Sequence, residues 1–305
     1  MSSSRKRSLS FLPMLLALAV VGGLTALAVR VYSRPWETMV EVSRAGMLLL
    51  GIHEESIDVG PLTMHYYCAG ERGKPIVLLH GLGNSAEVWA FLMRLLSKQY
   101  RVYAPDLPGF GKTSLAAEGT NIATHALHIE QFISALGYKR VTVVGNSLGG
   151  WIGIRLALDH PERVERLYLL DSAGLRREPM DIPHSSNRAA AQHVFKQMWG
   201  FSLPLPGFVW DAMVRNAQTP AYAGFLQSYD PQEELDEVLG QLNIPTTIIW
   251  GEQDRLLPIA CAYDFHTGIA NSELVLLPRT GHLPQLQAPL QVAHIIKGTG
   301  TDKTA

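Results

Sequence analysis

The sequence predicts an α/β protein: a mostly parallel sheet of eight strands with helices on both faces. Three observations predict it. From residue 52 to residue 296, short apolar runs alternate with longer stretches of helical spacing, the pattern of strand–helix–strand units whose strands run parallel. Runs such as Ile76-Val77-Leu78-Leu79 and Val141-Thr142-Val143-Val144 are apolar almost throughout, as strands covered on both faces must be. The 305 residues are 47% hydrophobic and 17% charged, enough apolar material for one large core.

Taken in order, 52–59 and 62–69 read as strands joined at Gly60-Pro61, a hairpin signal. A buried strand follows at 75–80, then a helix over 86–98 and a strand over 100–104. Residues 121–136 have helical spacing and stop at Gly137. A strand at 140–145 leads into a helix at 147–159, ended by Pro161, and 164–171 is again a strand. The alternation then lapses: 175–243 is rich in Pro, Met, Trp and Phe without a convincing strand, and reads as a helical insertion, a cap. It resumes with strand 245–251, helix 258–268, strand 273–277 and helix 288–296. The core is thus expected to comprise 52–174 and 244–297, with a polar tail at 298–305.

The N-terminus has a different character. Residues 9–29 are 21 positions without a charge, preceded by a basic tail at 1–8 containing Arg5, Lys6 and Arg7. At about 1.5 Å per residue an apolar helix of this length spans roughly 30 Å, the hydrocarbon thickness of a bilayer. The segment reads as a single-pass anchor, with 30–51 as a juxtamembrane stretch and the main domain on the extracytoplasmic side. The competing reading is a signal peptide cleaved after Ala26-Leu27-Ala28, giving a secreted or periplasmic protein.

Composition excludes several classes. With 26 basic and 27 acidic residues the net charge is −1, so no basic field exists to hold a nucleic-acid backbone. The two cysteines, Cys68 and Cys261, belong to no metal-ligand cluster and read as free thiols. No glycine-rich phosphate loop stands at a strand-to-helix turn. No metal and no cofactor are expected.

The chemistry concentrates in three places. Gly145-Asn146-Ser147-Leu148-Gly149 fits G-x-S-x-G between a buried strand and an amphipathic helix. A tight strand-to-helix turn there strains the serine backbone and lifts its Oγ above the sheet edge, beside a positive helix N-terminus. A serine hydroxyl needs a base and a group that orients the base. His282, after strand 273–277, and Asp254, after strand 245–251, supply them in the order Ser…Asp…His. Asp171, at the end of the strand after the serine turn, is the competing acid. Two backbone N–H groups, of Leu82 in His80-Gly81-Leu82-Gly83 and of Leu148, are placed to receive a developing oxyanion. The His80 side chain is expected to buttress its loop, and Asp106-Leu107-Pro108-Gly109-Phe110-Gly111 to form a structural turn near the pocket.

HGLGNSAEVW, DLPGFGKTS, VVGNSLGGWIG, DHPERV, IPTTIIWGEQD and TGHLP, in this order, resemble the α/β-hydrolase superfamily over about residues 46–297. The N-terminal apolar segment, the Gly-Asn-Ser turn and WGEQD are similar to membrane-anchored monoacylglycerol lipases and bacterial family V lipases. That resemblance implies carboxylic-ester hydrolysis through an acyl-enzyme on a Ser147–His282–Asp254 triad, with a small-molecule acyl ester as substrate and the bilayer as partner through 9–29. The cap falls where the superfamily covers its pocket, and its apolar composition suggests an acyl-chain site. Alternatives are a carboxylesterase for a small or carrier-bound methyl ester, a non-catalytic ligand-binding protein on the same fold, and a cofactor-free oxidase or perhydrolase. The oligomeric state has no signature in the sequence.

Overall fold

The computed structural model describes residues 45–115, 121–176 and 185–299. The chain divides into two units, Met1–Gly46 and Met47–Ala305. The first, and with it the expected span at 9–29 and the basic tail, lies outside the described residues apart from Ala45 and Gly46. The tail from 300 onward lies outside them as well. Among the described residues no helix is long and apolar enough to cross a membrane.

The second unit is built on one eight-stranded sheet: β1 (His53–Val59), β2 (Leu62–Ala69), β3 (Lys74–Leu79), β4 (Tyr100–Pro105), β5 (Val141–Asn146), β6 (Val164–Leu170), β7 (Thr246–Gly251) and β8 (Ser272–Leu277). Their spatial order is β1-β2-β4-β3-β5-β6-β7-β8. The β1–β2 hairpin turns at Gly60, with Val59 opposite Leu62, and both its pairings are antiparallel. From β4 to β8 every pairing is parallel. All eight expected strands are present, each within a residue or two of its expected ends.

Helices cover both faces. On one side α2 (Ile122–Ala135), α3 (Leu148–Asp159) and α7 (Ile259–Gly268) bury Ile129, Phe132, Ile152, Leu156 and Phe265 against Val143, Leu167 and Ile248. On the other, α1 (Ala90–Leu96) and α9 (Pro289–Thr299) bury Leu92, Met93, Leu96, Val292 and Ile296 against Ile76, Leu78 and Ile249. Met47 and Ile52 join this second layer. Two expectations need adjustment. The helix expected over 86–98 is a 3₁₀ turn, Ala86–Trp89, followed by α1. The last helix is preceded by a separate short one, α8 (Pro284–Gln287), because Pro289 cannot donate the hydrogen bond that would join them.

The insertion is helical, as its composition suggests: α4 (Arg188–Trp199), α5 (Gly207–Ala217) and α6 (Pro220–Ser228). Asn187 and Thr219 cap α4 and α6 by accepting backbone N–H groups, and Gly200 ends α4 at φ 78°. Ala191, Phe195 and Trp210 form its own small core with Trp199, Leu205 and Met213. Phe195 stacks on Trp199 at 5.3 Å, and the Trp210 indole donates to the Leu205 carbonyl at 3.0 Å.

Candidate active site

The strand order creates the site. From β3 the chain crosses to its neighbour β4; from β5 it crosses the opposite way to β6. The connections therefore part between β3 and β5, leaving a crevice beyond their C-terminal ends. Leu82 follows β3 and Ser147 follows β5, so both lie at this crevice.

Ser147 sits at φ 54°, ψ −120°, a conformation that costs a non-glycine residue of order 1–3 kcal/mol and marks functional turns. The strain is held by backbone bonds on every side. The Ser147 N–H donates to Leu170 O at 3.1 Å, and its carbonyl accepts from Gly150, Trp151 and Ala173. A side chain at 145 or 149 would destroy the turn: a Cβ at Gly145 would lie 2.2 Å from Gly149 O, and one at Gly149 2.1 Å from Leu79 O. The turn is the sharp one the sequence predicts, with Ser147 preceding α3 rather than inside it.

Asp254 and His282 are in contact. His282 Nδ1 lies 2.7 Å from Asp254 Oδ2, and both residues are buried. Asp254 Oδ1 accepts the backbone N–H groups of Leu256 at 2.8 Å and Leu257 at 3.0 Å. These three donors fix the orientation of the Asp254 carboxyl group. The His282 backbone N–H donates to Met198 O at 2.6 Å, so the end of α4 in the cap holds the histidine loop. His282 and Ser147 line the same cavity, although no hydrogen bond joins them in this structure. A nucleophile–base contact often tightens only when substrate binds.

The backbone N–H groups of Leu82 and Leu148 donate to no loop, turn or cap acceptor among the described residues, and both residues line that cavity. The cavity measures about 540 Å³. Its walls are mainly apolar, with Trp151, Leu175, Val194, Met198, Met213 and Phe225 among them. Among the described lining residues there is no Lys or Arg. Glu234 is the sole carboxylate there, and it is held by the Tyr229 hydroxyl and by Arg176 Nε at 2.6 Å.

Three supporting residues were not distinguished, or only partly, by sequence reasoning. Asn146, fully buried, donates to the carbonyls of Leu170 and His282, each at 3.0 Å, and accepts from Gln285 Nε2 at 2.9 Å. Asp106 accepts from Ala86 N at 2.7 Å, Lys112 N at 2.9 Å and His65 Nδ1 at 2.7 Å. Burial alone would raise its pKa; the His65 bond, the nearby His80 and the two backbone donors outweigh that and hold it below the ordinary carboxylate value. The turn expected at 106–111 is therefore a hub: Asp106 ties it to strand β2 at His65 and to the 3₁₀ turn at Ala86. Asp171, the competing acid, is buried beside Asp254 but bonds Gly251 N through Oδ1 rather than His282.

His80 buttresses its loop as expected. Nδ1 lies 2.9 Å from Gly81 O and Nε2 accepts from Leu107 N at 3.0 Å. A carbonyl on one side and an N–H on the other fix the neutral Nδ1–H tautomer. Burial lowers the pKa of the ring, opposed in part by Asp106 and the Gly81 carbonyl. No disulfide joins Cys68 and Cys261; Cys261 is buried at the cavity, and Cys68 is only half-buried.

Comparison with known proteins places this geometry in context. The profile of the alpha/beta hydrolase family matches residues 76–295. The 2-hydroxy-6-oxo-6-(2'-aminophenyl)hexa-2,4-dienoic acid hydrolase of Metapseudomonas resinovorans is 30% identical over 267 residues, covering 79% of this chain and 88% of that protein. A crystal structure of a membrane phospholipase A, described as a bacterial virulence factor, superposes with a TM-score of 0.78 at 27% identity, covering 94% of this chain and 97% of that one. The serine hydrolase CarC, involved in carbazole degradation, gives 0.71 at 28% identity, covering 81% and 98%.

Proposed function

The chain belongs to the alpha/beta hydrolase family, and within that family we propose that it is a serine ester hydrolase, a lipase or esterase of the monoacylglycerol-lipase kind. The observation that carries the reading is one arrangement. A strained Ser147 and a His282 whose Nδ1 is committed to the buried Asp254 border a single apolar cavity.

The chemistry follows from that arrangement. Asp254 fixes the His282 tautomer, leaving Nε2 as acceptor. The Ser147 proton moves to Nε2 while Oγ attacks the ester carbonyl carbon. The imidazolium is stabilised by the adjacent Asp254 carboxylate. The tetrahedral oxyanion takes the N–H groups of Leu82 and Leu148, each worth about 10²–10³ in rate. Collapse breaks the C–O bond, and the imidazolium protonates the departing alcohol. Water, deprotonated by His282, then attacks the acyl-Ser147 carbonyl; the bond from the acyl carbon to Oγ breaks, the imidazolium returns its proton to Ser147 Oγ and the acid leaves.

Two kinds of relative pull in different directions, and charge separates them. The hydrolase from Metapseudomonas resinovorans is named for a dienoic acid, an anion at neutral pH. The described lining of the cavity holds no Lys or Arg and carries the partnered Glu234, which favours a neutral substrate over an anionic one. A neutral acyl chain fits those walls. The likeness to a membrane phospholipase A supports the same side. The uncharged segment 9–29, proposed as a membrane anchor, would hold the enzyme beside ester-bearing lipid.

The test is a substrate series: p-nitrophenyl and monoacylglycerol esters of rising chain length against a 2-hydroxy-6-oxo-dienoate. The reading expects kcat/KM at least 100-fold higher for medium and long neutral esters. A preference for the dienoate would overturn it in favour of carbon–carbon hydrolysis.

A further inference from the structure

Asp171 has no part in the mechanism above, yet it occupies one of the most constrained positions in the molecule. It follows β6 at φ 42°, a left-handed conformation that Asp tolerates better than most residues. It is completely buried, with its backbone N–H on Ile249 O at 3.0 Å. Oδ1 accepts from Gly251 N at 3.0 Å, while Oδ2 is enclosed with no donor beside it. A carboxyl oxygen of Asp171, one of Asp254 and a ring nitrogen of His282 lie within 4.8 Å of one another. Among the described residues, the titratable groups clustered with Asp171 are these two, from the loops after β7 and β8.

Two carboxylates buried this close do not both ionise. The donors decide which one keeps the charge. Asp254 receives three, from His282 Nδ1, Leu256 N and Leu257 N; Asp171 receives one. The proton therefore sits on Asp171, the carboxyl with a single donor and an unpartnered Oδ2. Burial, and next the charge of Asp254, push the Asp171 carboxyl well above the ordinary range. With the proton in place, the enclosed Oδ2 is a donor, and a carboxyl oxygen of Asp254 lies within 4.8 Å of the Asp171 carboxyl.

Resting on Asp254 as the acid that orients His282, we infer that Asp171 is a positioning residue whose protonated carboxyl donates to the Asp254 carboxylate, and that it supplies the carboxylate facing His282 when Asp254 is neutralised. The proton stays on Asp171 and is not consumed in turnover. When residue 254 is an amide, the charge of Asp254 no longer opposes ionisation of Asp171, and the imidazolium forming on His282 is the counter-charge that offsets its burial. Asp171 then releases its proton and takes over, imperfectly, the stabilisation of the imidazolium.

A double-mutant cycle tests this: kcat/KM on a p-nitrophenyl ester for wild type, Asp171→Asn, Asp254→Asn and the double variant, with the rate of fluorophosphonate labelling as a second readout. Asp171→Asn keeps shape and a donor, so its loss is small, within about tenfold. Asp254→Asn loses about 10³-fold or more. The double variant falls at least tenfold below the product of the two single losses, because the reserve carboxylate is gone. A double variant that equals that product overturns the inference and leaves the Ser147–His282–Asp254 reading standing. An Asp254→Asn protein with wild-type activity sinks the acid assignment itself. Infrared spectra of wild type at pH 8 give a check that needs no variant to fold. A carboxylic-acid C=O band from a buried protonated carboxyl supports the proposal, and its absence overturns it.

Discussion

The side-chain amide of Asn146 donates to the backbone carbonyl of His282 across 3.0 Å, joining the residue before the strained serine to the histidine 136 positions later. The same amide donates to Leu170 O, and its oxygen accepts from Gln285. One buried side chain thus fixes the separation of the two loops on which the proposed nucleophile and base stand.

Asn146→Ala removes that tie. Two buried carbonyls lose a donor and Gln285 Nε2 loses its acceptor, which costs about 2–4 kcal/mol. A urea midpoint measurement checks this, and ester hydrolysis is expected to fall at least tenfold as the loops lose register. A stability change under about 0.5 kcal/mol would show that the loops are held by other means.

Close approach, rather than backbone freedom, requires glycine at 149. A Cβ there would lie 2.1 Å from Leu79 O, so Gly149→Ala must push α3 off β3. The expected loss is about 3 kcal/mol or more, or failure to fold. Gly137 makes the contrast: it has φ +78° but open space around it, and Gly137→Ala should cost only about 1–2 kcal/mol. Equal melting-temperature shifts for the two would contradict the distinction.

Asp106→Asn should destabilise the loops at the N-terminal side of the crevice. Its carboxylate is the acceptor for Ala86 N, Lys112 N and His65 Nδ1, and an amide cannot serve all three. A loss of about 2–4 kcal/mol in chemical denaturation is expected. Stability within about 0.5 kcal/mol of wild type would mean that the hub is dispensable.

His125 governs acid stability. It is fully buried in α2 with neither ring nitrogen bonded, and burial, then the neighbouring His128 and His80, lower its pKa to about 3. The unfolded chain binds a proton at this residue below about 6.5, whereas the folded protein does not until about 3. Its contribution is therefore fully present above about 6.5, and it is lost at roughly 1 kcal/mol per pH unit as pH falls through this window. His125→Phe should flatten the slope of stability against pH between 4 and 6.5. An unchanged slope would show that other groups set it.

Much of this was legible in the sequence because it is written in local pattern. Continuous apolar runs bounded by turns gave the strands, and glycine spacing around Ser147 gave the sharp turn. Chain order after β7 and β8 brought out Asp254 and His282, which the fold joins at 2.7 Å. Residues that act by long-range contact left no such trace. Asn146 is simply the variable position of a pentapeptide until Gln285 and the His282 carbonyl arrive beside it. Asp106 was visible as part of a turn, but not its bond to His65, 41 positions away. The cap's aromatics were legible as apolar, yet only the fold divides them between a private core at Phe195 and Trp210 and a cavity wall at Phe225.

Covalent labelling puts the assignment of the Ser147 hydroxyl as nucleophile to a direct test. The protein is treated with a fluorophosphonate and the modified peptide identified by mass spectrometry. One adduct is expected, on Ser147, absent from Ser147→Ala and formed at least about 100-fold more slowly in His282→Ala. Equal labelling of Ser147→Ala, or an adduct on another residue, would contradict it.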